Sequence, residues 1–185
     1  MKRIILALGI LLMSAPLLHA QDKIYTKTGT INFDATASME TIAAVNKKVT
    51  CVVDTKTGAM EFAVLMKGFE FEKALMEEHF NENYVESDKY PKATFKGTID
   101  NLSDIKFTTD GTYTANISGN LTMHGVTKPI TAKGTFTVKG GKITGVSTFK
   151  ALLSDYNISI PSVVQANISK EVTISVNVAL DPLPN

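Results

Sequence analysis

Between Tyr113 and Met123 the chain alternates with period two. Tyr113, Ala115, Ile117, Gly119, Leu121 and Met123 fall on one face, and Thr114, Asn116, Ser118, Asn120 and Thr122 on the other. Only an extended backbone gives each set a constant direction, because successive side chains of a strand point to opposite faces. The same pattern recurs from Ala93 to Ile99, from Ile130 to Val138 and from Val172 to Val178. Weaker alternation runs through Thr30 to Ala35, Val49 to Val53, Ala59 to Met66, Ile105 to Thr108 and Ile143 to Phe149. Strands with one apolar face each must close into a barrel or stack as a sandwich to hide it.

Turn residues separate the runs: Asp54 to Gly58, Asp110-Gly111, and Lys139-Gly140-Gly141-Lys142. Asp-Gly and Gly-Gly pairs supply the positive φ of tight hairpins, so sequence neighbours are expected to pair antiparallel. One stretch, residues 72–80, reads as helix: it lacks β-branched residues and sets Leu75, Met76, His79 and Phe80 on one face. A second turn of helix is expected over Met39 to Val45. With no linker, repeat or shift of composition, the expected architecture is all-β: a single domain of about eight antiparallel strands, closed as a barrel or folded as a sandwich, with one short helix.

The first twenty residues stand apart. Lys2 and Arg3 precede an apolar run from Ile4 to Leu12, and Ala20 offers a small residue for cleavage, the signature of a signal peptide. Residues 21–185 are then the folded domain, periplasmic or secreted, with no transmembrane helix among them. Over the whole chain 19 basic residues face 18 acidic ones, which leaves no field to attract nucleic acid. Arg3 is the sole arginine, so any anion site in the domain depends on Lys or on backbone N–H groups. Cys51, the single cysteine, has no disulfide partner within the chain and alternates with Val49 and Val53 as a small buried hydrophobe.

The inward faces mix large residues with small ones: Ala115 and Gly119, Ala132 and Gly134, Ala93 and Gly97. Small residues there either leave a tunnel or let the strands coil as the sheet closes. An eight-stranded barrel is the size that encloses one small ligand. Phe95, Ile117, Leu121, Phe136 and Phe149 are expected to line such a bore, with Tyr156 at its rim. Phe69, Phe71, Leu75, Met76 and Phe80 cluster around the helix, as a plug of ordinary core or as a wall over the tunnel.

Three segments resemble the YceI-like family. These are His79 to Phe95 with its Lys89-Tyr90-Pro91 before a strand, Gly119 to Pro129 with Leu121-Thr122-Met123-His124-Gly125-Val126-Thr127-Lys128-Pro129, and Asp155-Tyr156-Asn157-Ile158. The resemblance implies an exported, all-β protein: a single antiparallel eight-stranded, lipocalin-like barrel with one short helix (about 72–80) near a barrel end, without catalytic activity or cofactor. It would hold a polyisoprenoid or fatty-acid-like lipid. The protein itself is expected to be a monomer or homodimer. Thr28-Gly29-Thr30-Ile31 departs from the His-Ser pair with which family members begin the first strand. His124, matched in the motif, sits before Gly125 at a strand-to-turn junction, where an imidazole ties down loop carbonyls or meets a ligand head. With only His79 and His124 beyond residue 20 and no ligand spacing between them, no metal site is expected.

The expected function is a carrier or sequestering protein for a long apolar ligand. The alternatives are a structural barrel with a filled core, a small outer-membrane barrel, and an enzyme using His124, Cys51 and an acid. Lys96 and Lys133 on the polar faces weigh against the outer-membrane reading.

Overall fold

The computed structural model describes residues 22–37 and 40–184. The expected signal peptide, residues 1–20, lies outside the described residues. The strands are β1 (Lys23–Thr36), β2 (Ala43–Asp54), β3 (Ala59–Leu65), β4 (Glu70–Phe71), β5 (Lys92–Ile99), β6 (Gly111–Met123), β7 (Val126–Lys139), β8 (Lys142–Leu152) and β9 (Ile168–Pro182). Each hydrogen-bonds antiparallel to its neighbours in the order β1-β9-β8-β7-β6-β5-β3-β2, and a β1–β2 ladder closes the ring. The two residues of β4 pair with Ala44 and Val45 beside the ring. The result is a closed, eight-stranded antiparallel barrel. One helix, α1 (Ala74–His79), runs into a π-helical turn over Phe80–Tyr84.

Three local expectations are corrected. The stretch from Met39 to Val45 is not helical where it is described: Ala43 to Val45 open β2, and Met39 lies outside the described residues. Ile105 to Thr108 is not a strand. Asn101 occupies the edge of β6 that it would need, accepting the Asn116 N–H at 2.7 Å and donating to the Thr114 carbonyl at 3.0 Å. Ile105 is buried instead, and Phe107 packs edge-on against Phe136 at 5.3 Å. Asp110-Gly111 is no hairpin turn either. Gly111 opens β6, and the Asp110 carboxylate accepts the Gly140 N–H at 2.9 Å.

The other turns follow their chemistry. Gly140 (φ 57°) and Gly141 (φ 77°) both take the positive φ of a two-residue hairpin between paired Lys139 and Lys142. In the β2–β3 turn the Asp54 carboxylate accepts the Thr57 and Lys56 N–H groups at 2.9 and 3.0 Å. Those donors, Thr57 first, hold its carboxyl below the usual range.

The core has two halves. At the end where β6 begins it contains Ile24, Val53, Ile99, Val138, Ile143 and Leu180; at the helix end, Ile31, Val64, Phe69, Val85, Leu121 and Val172. The outward faces are polar: Thr114, Asn116 and Asn120 of β6 and Thr127, Thr131 and Lys133 of β7 are exposed. Where β2 and β3 stop pairing, buried Asn46 spans the gap by donating to the Leu65 carbonyl at 2.9 Å.

Candidate functional site: a dry bore partitioned by aromatic rings

The small inward residues do not form a tunnel by themselves. Gly97 and Gly119 are cross-strand partners, and the Phe95 ring lies over both. A Cβ at Gly119 would meet Phe95 Cζ at 2.6 Å; one at Gly134 would meet Ile117 Cδ1 at 3.1 Å. One at Gly145 would meet Phe136 Cε1, also at 3.1 Å. Large side chains thus recline into the notches that glycine leaves.

What remains is an inner cavity of about 180 Å³, lined by apolar surface alone. Phe69, Phe80, Phe95, Ile117, Leu121, Phe136 and Phe149 line it, seven of the eleven candidate residues. Cys51 lines it too, and burial pushes its thiol up to about 12. A thiol so held stays protonated and is a poor nucleophile.

A second, outer chamber of about 400 Å³ lies under α1. Phe71, Leu75, Met76 and Phe80 line it, together with the polar groups Glu40, Lys73, His79 and Asn167. Lys73 Nζ stands 3.2 Å from Glu40 Oε1. The helix therefore roofs a chamber rather than plugging the barrel: none of its residues is buried, and Leu75 is 60% exposed.

Between the two spaces stands an aromatic partition. Phe33 packs on Phe69, Phe71 and Phe80 with centroids 5.6, 5.6 and 5.4 Å away, and Phe80 stands 5.6 Å from Phe69 and 5.1 Å from Phe71. Phe33 and Phe80 line both chambers. Sequence reasoning passed over Phe33, although its alternation with Ile31 and Ala35 in β1 was the available signal.

Tyr156 is not a rim residue. It is 2% exposed and lines neither chamber, because its segment is drawn inward by His124. The His124 ring Nδ1 lies 2.9 Å from the Tyr156 carbonyl oxygen and Nε2 lies 2.7 Å from Glu86 Oε2. Both partners are oxygens, so each ring nitrogen of His124 is engaged. Tyr90 meets the ring edge-on at 4.6 Å. Glu86, His124 and Asn157, the non-glycine residues of positive φ among the described residues, all belong to this knot. It ties the segment after the helix, the β6–β7 hairpin and the turn Leu153–Tyr156 to one another. His124 is half-buried in that structural tie and lines neither chamber.

Comparison with known proteins gives a consistent picture. The YceI-like domain matches residues 22–180. The UPF0312 protein PputGB1_5030 of Pseudomonas putida strain GB-1 is 34% identical over 98 residues, 50% of this chain and 47% of its own length. UPF0312 protein VPA0850 of Vibrio parahaemolyticus is 33% identical over 84 residues, 42% of this chain and 41% of its own. The chain thus spans about half the length of these curated relatives. Among solved structures, a polyisoprenoid binding domain from Saccharophagus degradans superposes with TM-score 0.75 at 13% identity, covering 88% of this chain and 99% of that one. Burkholderia cenocepacia BcnA superposes with TM-score 0.68 at 16% identity, covering 83% and 96%. At these identities the two structures speak for the fold alone.

Proposed function

The chain belongs to the YceI-like domain family, and from that premise we propose that it is an exported binding protein which holds a long apolar ligand, a polyisoprenoid or fatty-acid-like lipid, inside its barrel. The observation that carries this reading is the inner cavity, whose lining is wholly apolar and includes seven of the residues expected to contact a chain. An unfilled apolar space inside a close-packed protein costs stability, and a hydrocarbon chain is the ligand that fills it without leaving a polar group unpaired. Export rests on the Lys2-Arg3 and apolar segment of the sequence. Binding rather than catalysis is supported by the described lining of the bore, which offers a protonated Cys51 and no basic or acidic side chain. The polar outward faces are the reverse of what a barrel immersed in lipid needs.

Magnitude limits the fit. A cavity of about 150 Å³ holds a benzene-sized molecule, so the inner space takes about six carbons. At about 0.8 kcal/mol per buried CH₂ that is worth roughly 5 kcal/mol, against roughly 12 kcal/mol for a chain of about fifteen. A long chain must extend beyond the inner cavity. The second reading, a barrel that binds nothing and works through protein contacts, is favoured by the Phe95 ring over Gly97 and Gly119 and by the four-phenylalanine partition.

Native mass spectrometry of the purified protein, followed by organic extraction, separates the two. A bound species of lipid mass is the expected result. Its absence from preparations made in several hosts, with no uptake of a dansyl-labelled fatty acid, establishes the filled barrel.

A further inference from the structure

The β7–β8 ladder is shorter than the strands that make it. Its last pair toward the helix end is Gly134 with Ser147. Beyond it β7 continues to Val126, paired only with β6, and β8 continues to Leu152, paired only with β9. Among the described residues no ladder pair joins the two continuations, which leaves a gap in the wall; where β2 and β3 stop pairing, by contrast, Asn46 and β4 bridge the space. Its lower limit is fixed by the Ser147 hydroxyl, which donates to the Lys133 carbonyl at 2.8 Å. Its upper limit is the turn Leu153–Tyr156, held to His124 through the Tyr156 carbonyl. Pro129 lies within the β7 stretch. A residue without an N–H is tolerated in a sheet at an edge, and this stretch of β7 is an edge.

The gap opens onto the inner cavity. Ile130 and Ala132 of β7 and Phe149 of β8, on the two sides of the gap, all line that cavity. At the helix end the rings of Phe33, Phe69, Phe71 and Phe80 stand between the chambers, and packed core with Phe107 against Phe136 fills the other end.

We infer that the unpaired stretch between β7 and β8 is a lateral access site through which a hydrocarbon chain slides sideways into the bore, without displacement of the aromatic partition. The inference rests on the lipid-binding reading above. It assigns the site an unsubstituted or methyl-branched chain, because the cavity behind the slot presents apolar surface alone, while the polar Lys133, Thr148 and Lys150 stand on the outer faces beside it. No charged side chain lines the inner cavity behind it. The part of a long ligand that the inner cavity cannot hold then emerges through the wall.

The test tethers the slot from outside. Lys133 and Thr148 are exposed on the outer faces of β7 and β8. The double variant Lys133→Cys, Thr148→Cys is joined with a short bis-maleimide after folding; buried Cys51 stays unmodified. Stopped-flow mixing with a dansyl-labelled fatty acid then reads association and dissociation. Cross-linking is expected to slow both by about tenfold or more, as closing a gate does, with little change in equilibrium affinity. The same variant capped with a monofunctional maleimide is expected to exchange at the parent rate. Unchanged rates in the cross-linked protein, or equal slowing in the capped one, overturn the lateral route while leaving lipid binding intact. No binding of the probe by the untethered parent overturns both.

Discussion

His124 shows what a single residue does here by holding others. Its two ring nitrogens face the Tyr156 carbonyl and the Glu86 carboxylate, and its own backbone takes φ 51° to reach them. Losing the imidazole leaves the carbonyl of a buried segment without its donor, and an unsatisfied buried group costs about 1–3 kcal/mol. His124→Ala is therefore expected to lower the unfolding free energy by about 2 kcal/mol in urea titration. His124→Asn, a residue that tolerates the left-handed region, is expected to lose less. An unfolding midpoint for His124→Ala equal to the parent's excludes the knot as a stabilising feature. Tyr156 was misplaced in the sequence reading for the same reason: its neighbours in the chain are polar, and only the distant imidazole turns it inward.

At the scale of elements, the glycines of β5 and β6 show why alternation is legible and occupancy is not. Gly97 and Gly119 sit on inward faces, as the period-two pattern requires. Which side chain covers them is decided by register, which sets Phe95 beside the pair. Gly97→Ala puts a methyl against the Phe95 ring and the Ser118 carbonyl, and overpacking of this kind costs about 1–3 kcal/mol. The expected loss, about 2 kcal/mol by chemical denaturation, should be partly recovered when Phe95→Leu is added. If the second substitution worsens the first instead, the ring is not what fills the notch. The helix taught a related lesson. Its composition located it to within two residues at its start, yet its apolar side faces a chamber rather than a core, and helical periodicity does not distinguish the two.

For the molecule as a whole, the two chambers and the wall gap make ligand binding a matter of linkage. A ligand that binds only the folded barrel adds about 2.7 kcal/mol at a hundredfold excess over Kd. At about 2–4 °C per kcal/mol for a domain of this size, saturating dansyl-labelled fatty acid is expected to raise Tm by about 5–10 °C in differential scanning calorimetry. A transition that does not move at saturating probe removes fatty acids from the ligand class. The ring closure between β1 and β2 sits near Gly29, where a Cβ would meet Val178 Cγ1 at 2.9 Å and the Val49 carbonyl at 3.2 Å. The seam of the barrel therefore depends on a residue with no side chain, in the segment that departs from the family's His-Ser pair.

By itself the sequence determined the faces of the cleanly alternating strands, the Gly140-Gly141 hairpin, the place of the helix and the all-β class, while closure as a barrel rather than a sandwich came with the β1–β2 ladder. These follow from short-range geometry: a period of two, a positive φ, an absence of β-branching. Tertiary structure alone decided that Phe95 covers two glycines, that Phe33 joins the partition, that Ile105 and Phe107 cap an end instead of forming a strand, and that β7 and β8 part beyond Gly134 and Ser147. The physical reason is that alternation fixes the direction of a side chain but not its neighbour. Neighbours are set by register and by the coiling of the closed sheet, and those are properties of all eight strands together.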